Sequence, residues 1–164
     1  MSGEFICRVL LIGLGATLTM DLWALVQKHI LRIPPLNYGL VGRWLLWMGR
    51  GKYRHNTIVT SPAIRGENVI GWLAHYLTGL VFALIPSELA GVGWYRQPTP
   101  CVALAAGLLT LVVPFCVMQP AFGLGIAAAK TPYPGKSRLM SLLAHLMYGA
   151  GLFVMASMLM QAGG

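Results

Sequence analysis

The sequence predicts an all-α membrane protein, a four-transmembrane-helix bundle, on the basis of composition, length and apolar runs. Of the 164 residues, 57% are hydrophobic and 10% are charged, whereas about 25% charge is usual in soluble domains. Apolar stretches of about 20 residues, the length that a helix needs to cross a bilayer, recur along the chain. The length allows a single membrane domain covering residues 1–164.

Four apolar stretches are the predicted spans, and they cover residues 5–27, 69–90, 101–129 and 141–161. The third stretch is long enough to contain a break, and Pro114 and Pro120 favour one. The first stretch carries Asp21 at its far end and lacks a small-residue cleavage frame. We therefore interpret it as a retained membrane helix rather than a cleaved signal peptide.

The basic residues are distributed unevenly, and this distribution predicts the orientation. Ten of the 12 Lys and Arg residues lie in the first and third loops. The positive-inside rule therefore predicts that both loops are cytoplasmic and that both termini lie outside. The net charge of +8 is then mainly a topology signal, with anionic lipid headgroups as partners at the cytoplasmic face and no role for nucleic acid.

The first loop, residues 28–68, contains a segment that is too short to span a membrane. Within residues 38–50, Trp44 and Trp47 are flanked by arginines, a composition typical of a helix at the depth of the headgroups. We therefore expect an interfacial helix near residues 38–50 of this loop.

Two histidines occur in the same short frame, Leu-Ala-His-x-x-x-Gly, at His75 and His145. The repetition predicts two tandem helical hairpins related by an axis along the membrane normal. The frame glycines, Gly79 and Gly149, lie one turn beyond each histidine on the same helix face. They either allow neighbouring helices to approach closely or leave room for a flat cofactor or substrate beside each imidazole.

Each predicted span carries one strongly polar side chain at a similar depth. The four are Asp21, His75, Gln119 and His145, whose depths agree within about 5 Å at the helical rise of about 1.5 Å per residue. Because lipid offers no hydrogen-bond partner, such groups are expected to face inward and find one another. We predict a cytoplasm-facing ligand-binding site from these residues together with Thr17, Tyr148 and Arg138.

The first class of function open to this site is ligand or cofactor binding. His75, His145 and Asp21 are a familiar ligand set for a divalent metal such as zinc or non-haem iron. Two histidines from facing helices suit the iron of haem b equally well, and His55 in the first loop is a further candidate ligand. A small lipid-soluble ligand belongs to the same class, as does an enzyme acting on one. The sequence identifies no catalytic residue.

Two other classes also remain open. A buried Asp with nearby His suits a proton relay, which indicates a proton-coupled small-molecule transporter. Four helices make a small transporter, so this class predicts an oligomer, most simply a homodimer. The third class is a structural subunit of a membrane complex, in which the polar groups only fix helix packing.

Several motifs together resemble those of a known family. They are Ile12-Gly13-Leu14-Gly15-Ala16-Thr17, Met20-Asp21-Leu22-Trp23, Gly42-Arg43-Trp44, Gly71-Trp72-Leu73-Ala74-His75-Tyr76, Met118-Gln119-Pro120, Thr131-Pro132-x-Pro134 and Arg138-x-x-Ser141-Leu142-x-Ala144-His145. As a set, over nearly the whole chain, they resemble the bacterial integral-membrane proteins of domain of unknown function 2938. The resemblance implies a bacterial inner-membrane protein of several helices, and it implies no activity.

Overall fold

A computed structural model describes residues 3–162, which form helices, turns and loops with no β-strand among them. In this part of the chain four helical stretches are long and apolar enough to cross a membrane: Gly3–His29, Glu67–Ala90, Pro100–Ala121 and Pro134–Ala162. Each overlaps one of the predicted spans. The prediction of an all-α membrane protein with four spans is therefore confirmed.

The first two spans differ in continuity. Helix α1 (Gly3–His29) is unbroken. The second span consists of α3 (Glu67–Phe82) and α4 (Ile85–Ala90), and Pro86 lies in the first turn of α4. Proline suits that position because its fixed φ is already helical and the first amides of a helix have no partner within it.

The third span is broken, as its prolines predict. Helix α5 (Pro100–Thr110) is followed by a π-helical segment (Pro114–Met118) and a single turn, α6 (Gln119–Ala121). A proline removes one backbone donor from the helical ladder, which accounts for the irregular segment that Pro114 begins. The helix ends before residue 129 because Gly123 and Gly125 adopt φ values of +86° and +75°, where the chain turns.

The fourth span, α7 (Pro134–Ala162), begins earlier than the sequence analysis expects. Pro134 occupies the first helical position, for which its fixed φ is suited. Lys136 and Arg138 consequently belong to the first turns of the helix instead of to the loop that precedes it.

The described residues cluster into two compact units. The first unit comprises residues 3–35, 76–110 and 142–162. The second unit comprises residues 36–75 and 111–141.

Helices of the first unit approach one another at the frame glycines. A Cβ atom on Gly79 would collide with the Thr17 hydroxyl, so α3 lies against α1 at this point. A Cβ atom on Gly149 would lie 2.7 Å from the carbonyl oxygen of Ala103, so α7 lies against α5. Each frame glycine thus contacts the preceding span, as expected for two hairpins. Close helix approach is the role that these contacts support.

The core of the first unit is formed by small and branched apolar side chains. Ile12, Ala16, Leu152 and Ala156 are each 0% exposed. Small residues at such positions bring helix backbones together, and van der Waals packing then replaces contacts with lipid.

In the second unit, helix α2 (Tyr38–Met48) confirms the predicted helix in the first loop. It begins at Asn37, whose side chain accepts a hydrogen bond from the Gly39 amide at 2.9 Å, a standard N-cap. Helix α2 packs backbone against backbone on the start of α3. A Cβ atom on Gly42 would lie 2.6 Å from the Gly71 amide nitrogen.

The Arg43 side chain forms hydrogen bonds that link three parts of the second unit. Its guanidinium donates two hydrogen bonds to the Glu67 carboxylate, at 2.8 and 2.7 Å. It also donates to the carbonyl oxygens of Ile58, Val59 and Ser61, at 3.3, 3.2 and 2.9 Å. The Arg43 and Glu67 side chains are only 13% and 15% exposed. One side chain therefore joins α2, the following loop and the start of α3.

The first loop is also bonded to the end of the broken third span. The amide of His55 donates to the Ala121 carbonyl at 2.8 Å, and the amide of Ile58 donates to the Phe122 carbonyl at 3.0 Å. The Trp44 and Phe122 rings meet edge to face, with centroids 5.8 Å apart. The break in the third span leaves some backbone groups without a partner in a helix. These contacts supply partners for them within the protein.

Candidate functional site

Two helices of the first unit are linked by a carboxylate and a phenol. The hydroxyl of Tyr76 in α3 donates a hydrogen bond to Asp21 Oδ2 in α1, at 2.9 Å. Both side chains are half-buried. The phenol supplies a hydrogen-bond donor that lipid lacks, so Asp21 has a partner inside the helical unit. Tyr76 was not among the predicted site residues, although it directly follows His75 in the motif Gly71-Trp72-Leu73-Ala74-His75-Tyr76.

His145 is held by a hydroxyl and a backbone carbonyl of α5. Thr110 Oγ1 lies 2.6 Å from His145 Nδ1 and 2.5 Å from the Gly107 carbonyl oxygen. A hydroxyl has one proton and a carbonyl can only accept, so Thr110 donates to Gly107. His145 must then donate its Nδ1 proton to Thr110. In the neutral imidazole the lone pair is consequently on Nε2.

A tyrosine connects the two pairs. The hydroxyl of Tyr148, which is 3% exposed, donates to the Gly79 carbonyl at 2.6 Å. Tyr148 lies one turn beyond His145 in α7, and Gly79 lies one turn beyond Tyr76 in α3. The contacts therefore run across α1, α3, α5 and α7. We call this set the polar layer: Asp21, Tyr76, Thr110, His145 and Tyr148.

Thr17 lies beside the polar layer, and its hydroxyl bonds within its own helix. Its hydroxyl donates to the Gly13 carbonyl of its own helix at 2.8 Å, and the residue is 1% exposed. It contacts Gly79, one turn from Tyr76. Its observed role is therefore in the packing of α1 on α3.

The remaining predicted site residues belong to the second unit. The His75 ring stacks on Tyr38, with centroids 4.0 Å apart and an angle of 24° between the ring planes. Gln119 is 7% exposed, and within the described residues its Oε1 atom has no hydrogen-bond partner. Arg138 donates from Nε to the Ala127 carbonyl at 2.8 Å. The structure thus gives His75 and His145 different neighbours, an aromatic face and a threonine hydroxyl.

The arrangement offers no cluster of metal ligands in residues 3–162. No group of three or more His, Cys, Asp or Glu side chains in that range is placed to hold a metal ion. A site limited to one or two imidazoles is weaker than the three-ligand sets that zinc or non-haem iron usually has.

His55 is a buried histidine of the second unit. Its Nδ1 lies 2.7 Å from the Ser61 hydroxyl, and the residue is 5% exposed. Within residues 3–162 its Nε2 atom has no hydrogen-bond partner. Burial lowers the pKa of His55, and the positive charge of Lys52 lowers it further. The neutral form is therefore the one that this site stabilises.

Four helices of membrane-spanning length, with hydrogen-bonded polar groups between them, define a multi-pass membrane protein. Residues 10–159 match the family described as proteins of unknown function, DUF2938. The chain belongs to this family, as the motifs suggest. No curated protein and no solved structure matches it.

Proposed function

We propose that this protein binds a small lipid-soluble ligand at the polar layer, with His145 Nε2 accepting a hydrogen bond from a ligand hydroxyl. The observation that carries the proposal is the chain from His145 through Thr110 to the Gly107 carbonyl. A neighbouring group that holds one imidazole nitrogen fixes the tautomer and the ring orientation. The other nitrogen is thereby prepared as an acceptor or a ligand.

The energetic balance supports a function beyond packing. An aspartate residue costs about 2.5–3.5 kcal/mol at the centre of a span on insertion scales, and Asp21 lies within the first span. A hydrogen bond between membrane helices contributes only about 0.6 kcal/mol on average. The hydrogen bond from Tyr76 therefore recovers only a small part of the cost of Asp21, which favours a role for the polar layer beyond packing.

Haem and a divalent metal are the other occupants that imidazole suits. Haem b would be held by His145 Nε2 together with His75, the second histidine of the repeated frame. A metal would require His75, His145 and Asp21 together, and no three-residue group of this kind is found among residues 3–162. A neutral ligand with a hydroxyl needs only the acceptor nitrogen that Thr110 prepares.

The test is to identify what co-purifies with the protein. Protein in native-lipid nanodiscs would be extracted and analysed by mass spectrometry, alongside oxidised and reduced absorption spectra and elemental analysis. We expect an apolar hydroxyl compound that is retained in wild type and absent from His145→Ala. The control is His29→Ala, which removes an exposed histidine at the end of α1. Thr110→Val should weaken retention of the compound because His145 Nδ1 would lose the hydroxyl partner that keeps its proton on that nitrogen.

Each other outcome has a definite meaning. An absorption band that shifts on reduction and disappears in both His75→Ala and His145→Ala would replace the proposed ligand with haem. A stoichiometric metal lost from the same variants would replace it with a metal site. Wild-type protein without bound compound, band or metal would refute ligand binding.

Proton-coupled transport by an oligomer is a second candidate, and the broken third span favours it. Interrupted helices line the binding sites of many transporters, and the π-helical segment Pro114–Met118 is such an interruption. Asp21 would carry the proton. Proteoliposomes should then show proton flux that Asp21→Asn abolishes, and crosslinking should capture a homodimer. A structural subunit would instead co-purify with a partner protein and carry no flux.

We further propose a bacterial inner-membrane location with both termini periplasmic, supported by the basic first and third loops. Cys7, Cys101 and Cys116 would be replaced by Ser, and single cysteines introduced by Arg65→Cys or Arg96→Cys, both at exposed positions. A membrane-impermeant maleimide should label Arg96→Cys in spheroplasts and Arg65→Cys only after lysis. The reverse pattern would refute the orientation.

A further inference from the structure

The chain carries far more positive than negative side chains. It has 12 Lys and Arg against 4 Asp and Glu. Among the described residues, Glu4 lies 3.8 Å from Arg8 and Glu67 lies 2.7 Å from Arg43. Asp21 accepts from Tyr76 in the first unit. Glu88, the fourth acidic residue, lies in α4 of the first unit. Glu67 is thus the one acidic residue of the second unit, and Arg43 already pairs with it, so the exposed cations of that unit need negative charge from elsewhere.

Two of these cations lie at the same aromatic ring. The Arg50 guanidinium carbon is 5.3 Å from the centroid of the Trp47 ring, and Lys52 Nζ is 5.4 Å from it. Both distances are within the range of about 6 Å for a cation–π contact. The Trp47 indole donates to the Pro62 carbonyl at 3.1 Å, which anchors the ring. Two positive groups therefore contact one anchored ring.

The contacts explain where these side chains lie but do not neutralise them. The ring quadrupole and the C-terminus of α2 both attract cations. Arg50 and Lys52 are exposed, and neither forms an ion pair within residues 3–162. Their two positive charges are therefore uncompensated in this part of the chain, and a bound anion would attract both of them.

We propose that Trp47, Arg50 and Lys52 form a headgroup site for one anionic phospholipid. The phosphate would lie between the two cations, and the indole would lie at the depth of the headgroups, where tryptophan is enriched. The lipid bilayer is the source of the anion because this loop leaves one predicted span at His29 and enters the next at Glu67. The loop therefore starts and ends at a membrane surface. This site is independent of the ligand proposed for the polar layer.

The experiment measures lipid preference in the intact chain. Native mass spectrometry of detergent-purified protein would compare binding of phosphatidylglycerol with that of phosphatidylcholine. Each cation near an anionic surface contributes about a fivefold preference, so Arg50→Gln/Lys52→Gln should reduce the preference by about 25-fold. The matched control is Arg54→Gln/Lys130→Gln, which removes two other exposed charges and should change the preference less than about threefold.

A charge-conserving variant keeps the test interpretable if folding is affected. Arg50→Lys/Lys52→Arg should retain the wild-type preference. An unchanged preference in Arg50→Gln/Lys52→Gln, or an equal loss in the matched control, would overturn the site. Displacement of the lipid by millimolar inorganic phosphate would show a site for a soluble anion and overturn the headgroup assignment. Absence of any preference in wild type would do the same.

Discussion

Replacing Arg43 by Met should strongly destabilise the second unit. The variant keeps most of the side-chain volume but leaves the Glu67 carboxylate, 15% exposed, without its cation. Removing one partner of a buried ion pair costs about 3–5 kcal/mol. Since some solvent still reaches the pair, we expect a loss near the lower end, about 3 kcal/mol. Arg43→Lys keeps the charge but loses the two-pronged geometry, so it should cost roughly half as much.

The assay is denaturant unfolding in detergent, followed by tryptophan emission. Trp44 and Trp47 report on the second unit because their indoles donate to the carbonyls of Tyr53 and Pro62, at 2.9 and 3.1 Å. The loss of free energy of unfolding in Arg43→Met would be compared with that in Arg43→Lys.

A double-variant cycle separates the ion pair from general packing. In a Glu67→Gln background, Arg43→Met leaves no buried charge behind and should cost markedly less than in wild type. Equal costs in the two backgrounds, or a cost below about 1 kcal/mol in wild type, would refute the reasoning.

Two further predictions concern other parts of the molecule. Because the pKa of His55 is lowered in the folded protein, the unfolded chain binds a proton at this residue more readily. The contribution of neutral His55 to stability is therefore complete above about pH 6.5, the unfolded pKa, and is lost as the pH falls through the lower folded pKa. Melting temperatures from pH 8 to pH 5 should fall less steeply in His55→Gln than in wild type, and parallel curves would count against this account. Gly149→Ala places a Cβ atom 2.7 Å from the Ala103 carbonyl and should destabilise the first unit by about 1–3 kcal/mol. In Gly135→Ala the new methyl group has open space, so the melting temperature should be unchanged or slightly raised. Equal changes in melting temperature for the two substitutions would contradict the packing argument.

The spans were predictable because the signals for them are local. Bilayer thickness fixes the length of an apolar helix that crosses it. A proline inside a span, such as Pro114, marks a break in the helix. The ends were less predictable. The early start at Pro134 and the early end before Gly123 depend on backbone conformations that hydropathy does not register.

The polar layer was only partly predictable. Asp21 and His145 stand out in an apolar sequence because ionisable residues are rare there. Their hydrogen-bond partners, Tyr76 and Thr110, are neutral side chains whose relevance depends on how neighbouring helices are aligned. That alignment is determined by close contacts such as Gly149 on Ala103, and a single sequence does not specify it.

The second unit was the least predictable part. The sequence indicates a helix near residues 38–50, but the contact of Gly42 with Gly71 joins positions 29 residues apart. The five hydrogen bonds of Arg43 join positions up to 24 residues apart. Such contacts have no periodicity that could be recognised in advance.

Two backbone hydrogen bonds of the first loop determine when the second unit can form during synthesis of the chain. They join His55 to Ala121 and Ile58 to Phe122. Their partners are made more than 60 residues later, which at 5–20 residues per second is a delay of roughly 3–13 s. Until then the amides of His55 and Ile58 must bond to water, so this part of the loop stays outside the hydrocarbon layer while the second span and most of the third are made. The second unit is therefore completed only after the third span has emerged from the ribosome, and a nascent chain arrested at residue 110 should contain α1 and α3 with the first loop still open to protease.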